Sequence, residues 1–325
     1  MHNHRTRIIL IIGLLMLCCL SVTSAQTNNF RAATASSYIE RATKWFNKGE
    51  YAQAESDLDL AIATDPNFAG AYFNRAITRF RLGNLAAALT DFDRALQLDP
   101  RMIQAYVDRG GVRFKLGDWD GALSDSNQAL ELNPKLAIAW GNRGIARMEK
   151  NDLTGALADF DHALKLDPKL AITWSDRGVA KYRMGDFVAS IADHTQAIKL
   201  KPGYAEAYGD RGVARLAKGD VAEALTDCNR SIELNPASAI AYFNRALIWR
   251  ERSDWAKAIA DYDQVIALDA RFADAYCNRG LVRVRQGDEA AAQHDFQQCL
   301  TLNPNVKASL EQLISTERAK MITNK

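Results

Sequence analysis

The sequence predicts an all-α fold, a solenoid of stacked helical hairpins, and its periodicity carries this prediction. A proline recurs every 34 residues at six successive positions, and an alanine then replaces it once before the last proline. A period of about 34 residues is typical of helical solenoids. The repeated positions are Pro66, Pro100, Pro134, Pro168, Pro202, Pro236, Ala270 and Pro304.

Each period contains two helices. Between Ala69 and Pro100, two series of apolar residues at helical spacing are separated by a break at Gly83-Asn84. Neither helix is long enough to be stable alone in water, so each hairpin must pack against its neighbours. Eight copies are predicted, over 35–68, 69–102, 103–136, 137–170, 171–204, 205–238, 239–272 and 273–306.

The segment before the repeats has the pattern of a secretory signal peptide. A basic stretch from His2 to Arg7 precedes an apolar run and the small residues Ser24 and Ala25. We predict a signal peptide over 1–25 and cleavage after Ala25, which places the mature protein outside the cytoplasm, periplasmic or secreted. The alternatives are an uncleaved anchor, although the apolar run is shorter than the roughly 20 residues of a spanning helix, and a lipoprotein modified at Cys18 or Cys19.

Two further segments flank the array. Residues 26–34 form a polar lead in which we expect no helical pattern. Residues 307–325 are predicted to form an amphipathic capping helix, because a solenoid must cover the apolar face of its last repeat. The apolar residues available for this contact are Leu310, Leu313, Ile314 and Met321.

Several residues of the repeated unit resemble the pattern of a known family. The pattern is clear in one repeat, at Trp140, Arg143-Gly144, Ala156, Phe160 and Pro168. These residues stand at the spacings of the tetratricopeptide repeat, which the sequence resembles over eight consecutive units. The resemblance implies a right-handed superhelix whose first helices line a concave groove and whose second helices face outward. It also implies a scaffold for protein–protein interaction that holds a peptide or partner segment in the groove.

Charge argues against two classes of partner. The segment 1–25 contains Arg5 and Arg7 and no acid, so its removal lowers the 41 basic residues to 39, equal to the 39 acidic ones. A neutral chain without a basic stripe lacks the footprint of a nucleic-acid-binding protein. We therefore expect a protein or peptide partner, no nucleic acid, and no stable membrane insertion after cleavage.

Cysteine and histidine give no sign of a metal site or a catalytic centre. Cys228, Cys277 and Cys299 are an odd number without paired spacing, so we predict no structural disulfide. The histidines after residue 25 lie in separate repeats, and no phosphate loop or nucleophile motif is present. We expect no cofactor, no metal and no enzymatic activity.

Charged residues form two columns that replace residues usually apolar in the family. Arginine recurs in the first helix and aspartate in the second, each eight residues from the hairpin turn, so we expect the two to pair as a structural ladder. The alternative is a ligand-binding row of arginines. The columns include Arg75 with Asp91, Arg109 with Asp125, Arg143 with Asp159, Arg177 with Asp193, and Arg211 with Asp227.

A polar column lies beside the arginines, in mid-helix positions that Asn and Asp ordinarily disfavour. In similar superhelices an asparagine ladder in the groove binds peptide backbone, so we predict a peptide-binding ladder. The alternative is that these groups only solvate the groove or bond to neighbouring helices. The residues are Asn74, Asp108, Asn142, Asp176, Asp210, Asn244 and Asn278.

These observations predict an exported scaffold that binds a peptide or partner segment in its concave groove. One alternative is a structural assembly factor of envelope or secretion machinery that acts through its outer helices. Another is a carbohydrate-associated scaffold that depends on groove aromatics.

Overall fold

The computed structural model describes residues 24–323 and divides the chain into two compact units, one ending at Lys150 and the other beginning at Asn151. The described residues form helices joined by short turns, without a β-strand. The all-α prediction is therefore confirmed.

The described residues of unit 1 form seven helices. They are α1 (Ser24–Asn47), α2 (Tyr51–Thr64), α3 (Ala69–Arg81), α4 (Leu85–Leu98), α5 (Ile103–Leu116), α6 (Trp119–Leu132) and α7 (Ala137–Glu149). Helices α1 with α2, α3 with α4 and α5 with α6 pair as hairpins, and each second helix also packs on the first helix of the next hairpin. Successive first helices also contact one another.

Up to Thr323, where the description of the chain ends, unit 2 forms ten helices with the same arrangement. They are α8 (Leu153–Leu166), α9 (Ala171–Arg183), α10 (Phe187–Leu200), α11 (Ala205–Lys218), α12 (Val221–Leu234), α13 (Ala239–Glu251), α14 (Trp255–Leu268), α15 (Ala273–Gln286), α16 (Glu289–Leu302) and α17 (Lys307–Thr323). A short 3-10 turn, Pro304–Val306, links α16 to α17, and α17 packs on α15.

Local residue choices set the helix ends. The carboxylate of Asp186 accepts a hydrogen bond from the backbone N–H of Ala189, and so caps the start of α10. Gly219 ends α11 with φ of +96°, a left-handed conformation that glycine adopts without steric cost. Asn151 and Ser253 take the same conformation at the turns where the glycine column is interrupted.

Close packing between the two helices of a hairpin depends on small residues. A Cβ added at Gly280 would lie 2.5 Å from the ring of Phe296, so α15 and α16 approach too closely for any larger residue. Ala76 and Ala88 are both fully buried in α3 and α4. Small residues thus allow the two helices of these hairpins to pack closely.

The C-terminal helix covers the last repeat as expected, but with fewer residues. Leu310 is 3% exposed and Ile314 packs on the same cluster. Leu313, expected in this contact, is 49% exposed because it faces a cavity rather than the core. The side chain of Met321 lies outside the described residues.

The structure contradicts one prediction for the N-terminal segment and does not test the other. The polar lead was expected to lack helical structure, yet its residues lie within α1. Its alanines favour extension of a helix that is already nucleated by packing from Ala35 onward. Residues 1–23 lie outside the described part, so signal cleavage remains a prediction. Within 24–323, no helix is both long and apolar enough to cross a membrane.

Candidate functional site

The polar ladder lies along the first helices of both units. Its members are Asn74 on α3, Asp108 on α5 and Asn142 on α7 in unit 1, and Asp176 on α9, Asp210 on α11, Asn244 on α13 and Asn278 on α15 in unit 2. Asn244 is buried, and the other six are partly exposed. The ladder residues therefore stand at the surface of the first-helix layer but are shielded by neighbouring side chains.

Two ladder members are already engaged within the chain. The Oδ1 atom of Asn278 accepts a 2.5 Å hydrogen bond from Arg250, and its amide donates to the carbonyl of Asp274. Asp108 accepts a 3.0 Å hydrogen bond from the amide of Gln104. A ligand at these two levels would have to add to, or displace, existing contacts.

The carboxylates of Asp176 and Asp210 are the unusual members. Neither accepts a hydrogen bond or forms an ion pair within the described residues. Burial, and secondarily the nearby charge of Asp210, raises the pKa of Asp176 to about 7. Burial and then the charge of Glu206 raise the pKa of Asp210 to about 6. Unit 2 thus holds two shielded acidic groups without a basic partner.

An apolar surface adjoins these acids. A cavity of about 270 Å³ is lined by Asp210, Asn244, Val179, Val213 and Ile240, among others. Ile240 is 51% exposed and Ile172 is 57% exposed. This cavity therefore brings carboxylate, amide and aliphatic groups together.

A larger cavity, of about 590 Å³, lies at the end of the ladder in unit 2. It is lined by Asn278 and Leu281 on α15, by Trp255 on α14, and by Leu310 and Leu313 on α17. The capping helix thus forms one wall of this cavity as well as covering the last repeat. This volume lies in the range of small-ligand and side-chain pockets.

Within each hairpin that belongs to a single unit, the arginine column pairs with the aspartate column. Arg75 donates two hydrogen bonds to Asp91, 2.9 Å from Nε and 2.7 Å from Nη2, and Asp91 is buried. The other described pairs are Arg41 with Asp57, Arg109 with Asp125, Arg177 with Asp193, Arg211 with Asp227, Arg245 with Asp261, and Arg279 with Asp295. Arg143 belongs to unit 1 and Asp159 to unit 2.

The arginines of the column have further contacts besides the paired aspartate. Arg75 also donates to Asp59 of the preceding hairpin at 2.6 Å, and its guanidinium lies 5.6 Å from the ring centre of Tyr72. Arg79, one turn later, shares the carboxylate of Asp91 at 2.8 Å. Since most donors are used internally, the arrangement favours the structural interpretation over a ligand-binding row.

The aromatic column was missed, although its signal is visible in the sequence. A tyrosine or tryptophan stands three residues before each arginine, which is one helical turn and therefore on the same face. In the structure every one of these rings lies under the guanidinium that follows it. The rings belong to Tyr38, Tyr72, Tyr106, Trp140, Trp174, Tyr208, Tyr242 and Tyr276.

The prediction that no disulfide forms was wrong. Cys277 on α15 and Cys299 on α16 are bonded, with their Cα atoms 5.4 Å apart. A count of cysteines ignores that residues 22 positions apart face each other across the hairpin. The pair Gly209 and Ser231 shows this, since a Cβ on Gly209 would lie 3.3 Å from the Ser231 hydroxyl. Cys228 is free and buried.

A buried histidine was also missed as a polar core residue. His194 stands where Phe92 and Phe160 fill the other hairpins, and it is 1% exposed. Its Nδ1 atom lies 3.2 Å from the hydroxyl of Ser175, which is buried as well. Because neither group reaches solvent, this pair has a packing role. Among the described residues no cluster of acidic, histidine and cysteine side chains could hold a metal ion.

Comparison with known families agrees with this geometry. Models described as tetratricopeptide repeat match residues 69–102, 107–171, 175–239 and 273–306, and a further model described as TPR repeat matches 247–287. The chain belongs to the tetratricopeptide repeat family. Such repeats generally form non-catalytic scaffolds, and their presence here supports a role of this tetratricopeptide protein as a scaffold for protein–protein interaction.

Solved structures support the same fold. A tetratricopeptide repeat protein from Parabacteroides merdae is 22% identical with a TM-score of 0.63, and the match covers 73% of this chain and 94% of that one. A thermophilic tetratricopeptide protein of Thermus thermophilus is 22% identical with a TM-score of 0.50, covering 56% of this chain and 99% of that one. No curated protein matches this sequence significantly.

Proposed function

We propose that this tetratricopeptide protein is an exported, non-catalytic scaffold that binds an extended peptide segment along its polar ladder, with a basic ligand side chain beside Asp176 and Asp210. The observation that carries the proposal is the pair of shielded carboxylates without a partner. A buried carboxylate is costly unless it is paired. A lysine or arginine of the ligand supplies the missing charge.

Neighbouring groups suit the rest of such a ligand. Asn244 can both donate to and accept from a peptide backbone, whereas an ionised aspartate only accepts. Val179, Val213 and Ile240 offer an aliphatic surface beside these polar groups. The preferred ligand is therefore an extended segment in which a basic residue is flanked by an apolar one.

Export rests on the N-terminal pattern and gains support from the disulfide. A bond between Cys277 and Cys299 is typical of proteins that work in an oxidising compartment. Intact-mass measurement of the protein from its native cell tests this point. A mature chain that begins at Gln26 is expected, and a retained Met1 segment would contradict it.

The groove proposal is tested by a combined replacement of Asn142, Asp176, Asp210 and Asn244 by Ala. Each ladder hydrogen bond is worth only about 0.5–1.5 kcal/mol, so single changes should weaken partner recovery modestly and the fourfold change should nearly abolish it. Helical content, measured by circular dichroism, must stay intact. Photo-crosslinking from Ile172 and Ile240 should capture the partner, and the same probe at the exposed Val188 on α10 is the matched control.

A separate experiment tests whether the ligand needs a basic side chain. Two peptides that differ at one position, lysine in one and norleucine in the other, should bind to the wild type with different affinities. They should bind with equal affinity to a chain carrying Asp176→Asn and Asp210→Asn. Unchanged recovery by the fourfold variant, with crosslinks at Val188 instead, would reject the groove and favour assembly through the outer helices.

A further inference from the structure

The ion-pair ladder loses its charge balance at one level of unit 2. From Arg75 onward, each arginine of the ion-pair ladder directs Nη1 to the residue 16 positions earlier, on the preceding second helix. Arg177 meets a carboxylate there, Asp161 at 2.6 Å, and Arg279 meets Asp263. Arg211 instead meets the hydroxyl of Thr195, at 3.1 Å.

The same level carries two cations on one carboxylate. Arg211 and Arg215 each approach Asp227 at 2.7 Å. At the level before it, Arg177 and Lys181 face two carboxylates, Asp193 and Asp161. At the level after it, Trp249 stands in the place of the second base, so one arginine faces one carboxylate. The excess positive charge is thus confined to the hairpin of α11 and α12.

This excess borders an open recess of about 510 Å³. Its lining includes Arg211, Arg215, Asp227, Arg230 and Glu233. The last two form an exposed pair at 2.9 Å, so they add no net charge. Three guanidiniums therefore surround the recess against two carboxylates.

A carboxylate that contacts Arg211 in the place of the Thr195 hydroxyl would lie at the solvent-exposed surface. Asp161, which fills the equivalent place one level earlier, is 64% exposed at its side chain. Thr195 is itself an exposed residue. A carboxylate from another molecule can therefore occupy this place without entering the core, and a guanidinium offers it the planar donor geometry that carboxylates prefer.

We propose that the surface around Arg211, which contacts Thr195 and also lines the recess with Arg215 and Arg230, is a second binding site, which takes an aspartate or glutamate side chain of an acidic protein segment. This carboxylate stands in for the one that Asp161 and Asp263 provide at other levels. The site lies on the side of the ion-pair ladder and does not depend on the polar ladder. The chain itself shows the mode of recognition, since it repeats the completed contact at other levels.

The test uses the full-length mature chain and a fluorescein-labelled hexaglutamate peptide, with binding followed by anisotropy at low and moderate salt. Thr195→Asp supplies the missing carboxylate from within and should weaken binding at least about fivefold, because it occupies Arg211 and adds a repelling charge. Thr195→Asn keeps a neutral acceptor, as Asn229 does for Arg245 at 2.9 Å, and should bind within about twofold of wild type.

A second pair of variants isolates Arg230. Arg230→Gln should weaken binding by about threefold or more, the range of an exposed charge contact. Arg94→Gln changes the equivalent position of a hairpin where Arg75 and Arg79 already meet Asp59, Asp91 and Glu55, so it should leave binding unchanged. The fourfold groove variant should also retain hexaglutamate binding.

Three outcomes would overturn the proposal: no binding to the wild type, undiminished binding to Thr195→Asp, or equal losses in Arg94→Gln and Arg230→Gln. A phosphoserine peptide of equal length that binds about tenfold more tightly, and still depends on Thr195, would replace the carboxylate by a phosphate. Loss of binding in the groove variant alone would move the acidic peptide to the groove.

Discussion

Arg177 and Asp193 meet through two parallel hydrogen bonds, 2.8 Å from Nε and 2.7 Å from Nη2, although they lie 16 residues apart on different helices of one hairpin. The carboxylate is 4% exposed and the guanidinium 14% exposed at their side chains. The same contact recurs in both units. A charged pair therefore takes a place that apolar side chains usually fill in this family.

Because the pair is buried, we expect strong coupling between its members. Asp193→Asn alone should lower the free energy of unfolding by on the order of 3 kcal/mol, since it leaves the shielded cations of Arg177 and Lys181 with only the exposed carboxylate of Asp161. Combining it with Arg177→Met should cost clearly less than the sum of the two single changes. Urea denaturation of the four chains of a double-mutant cycle measures this coupling.

The exposed pair Arg230 and Glu233 is the matched control, at 49% and 63% side-chain exposure. Its coupling should stay below about 1 kcal/mol. Additive losses at Arg177 and Asp193 would contradict a structural ladder.

Asp176 is expected to destabilise the folded protein at neutral pH. Burial raises its pKa to about 7, well above the usual value of 3.8. The folded state therefore binds the proton more tightly, and the stabilisation from protonation is lost as the pH rises from about 4 to about 7. Asp176→Asn should raise the free energy of unfolding at about pH 8 by on the order of 1–3 kcal/mol.

The control for this prediction is the same variant measured at acid pH. Near pH 4 the buried carboxyl of the wild type is already neutral, so the two chains should differ little. Thermal unfolding across this pH range measures the effect. An equal difference at both ends would mean that the charge of Asp176 is not involved.

His194 should have the opposite pH dependence. Burial lowers its pKa to about 4 from the usual 6.5, with the charge of Arg211 as a smaller contribution that the nearby Asp193 opposes. The unfolded state binds the proton more tightly, so stability is lost as the pH falls from about 6.5 to about 4. His194→Phe, the residue found at this place in Phe92 and Phe160, should flatten that loss.

Proton NMR of the imidazole measures the titration directly, and thermal unfolding of both chains gives the stability profile. Ser175 loses its partner in the variant, which should lower stability by a constant amount of about 1 kcal/mol at every pH. An unchanged slope between the two chains would argue against His194 as the acid-sensitive group.

The disulfide should stabilise the last hairpin and the cavity wall. A bridge that closes a loop of 22 residues is expected to contribute about 3 kcal/mol by restricting the unfolded chain. Reduction should lower the melting temperature of the wild type. The variant with Cys277→Ala and Cys299→Ala should melt at the reduced temperature with or without reductant. Cys228→Ala should remain sensitive to reductant, because that buried thiol has no bridge to lose.

Much of the fold was predictable because it repeats. The spacing of prolines, glycines and small residues depends only on chain geometry, so it marks the hairpins without knowledge of distant contacts. The pairing of Arg75 with Asp91 follows in the same way, since both are eight residues from Gly83. The lead before Ala35 was misjudged, because nine residues are too few to show a helical period.

What the sequence determined by itself is periodic: the all-α class, the hairpins and the facing positions within each one. What only the tertiary structure decided is specific to single levels. The bond between Cys277 and Cys299, the shielding of Asp176 and the contact of Arg211 with Thr195 each depend on how neighbouring helices approach. The burial of a side chain and its distance to a partner depend on how the helices pack, so the sequence of one helix does not show either of them.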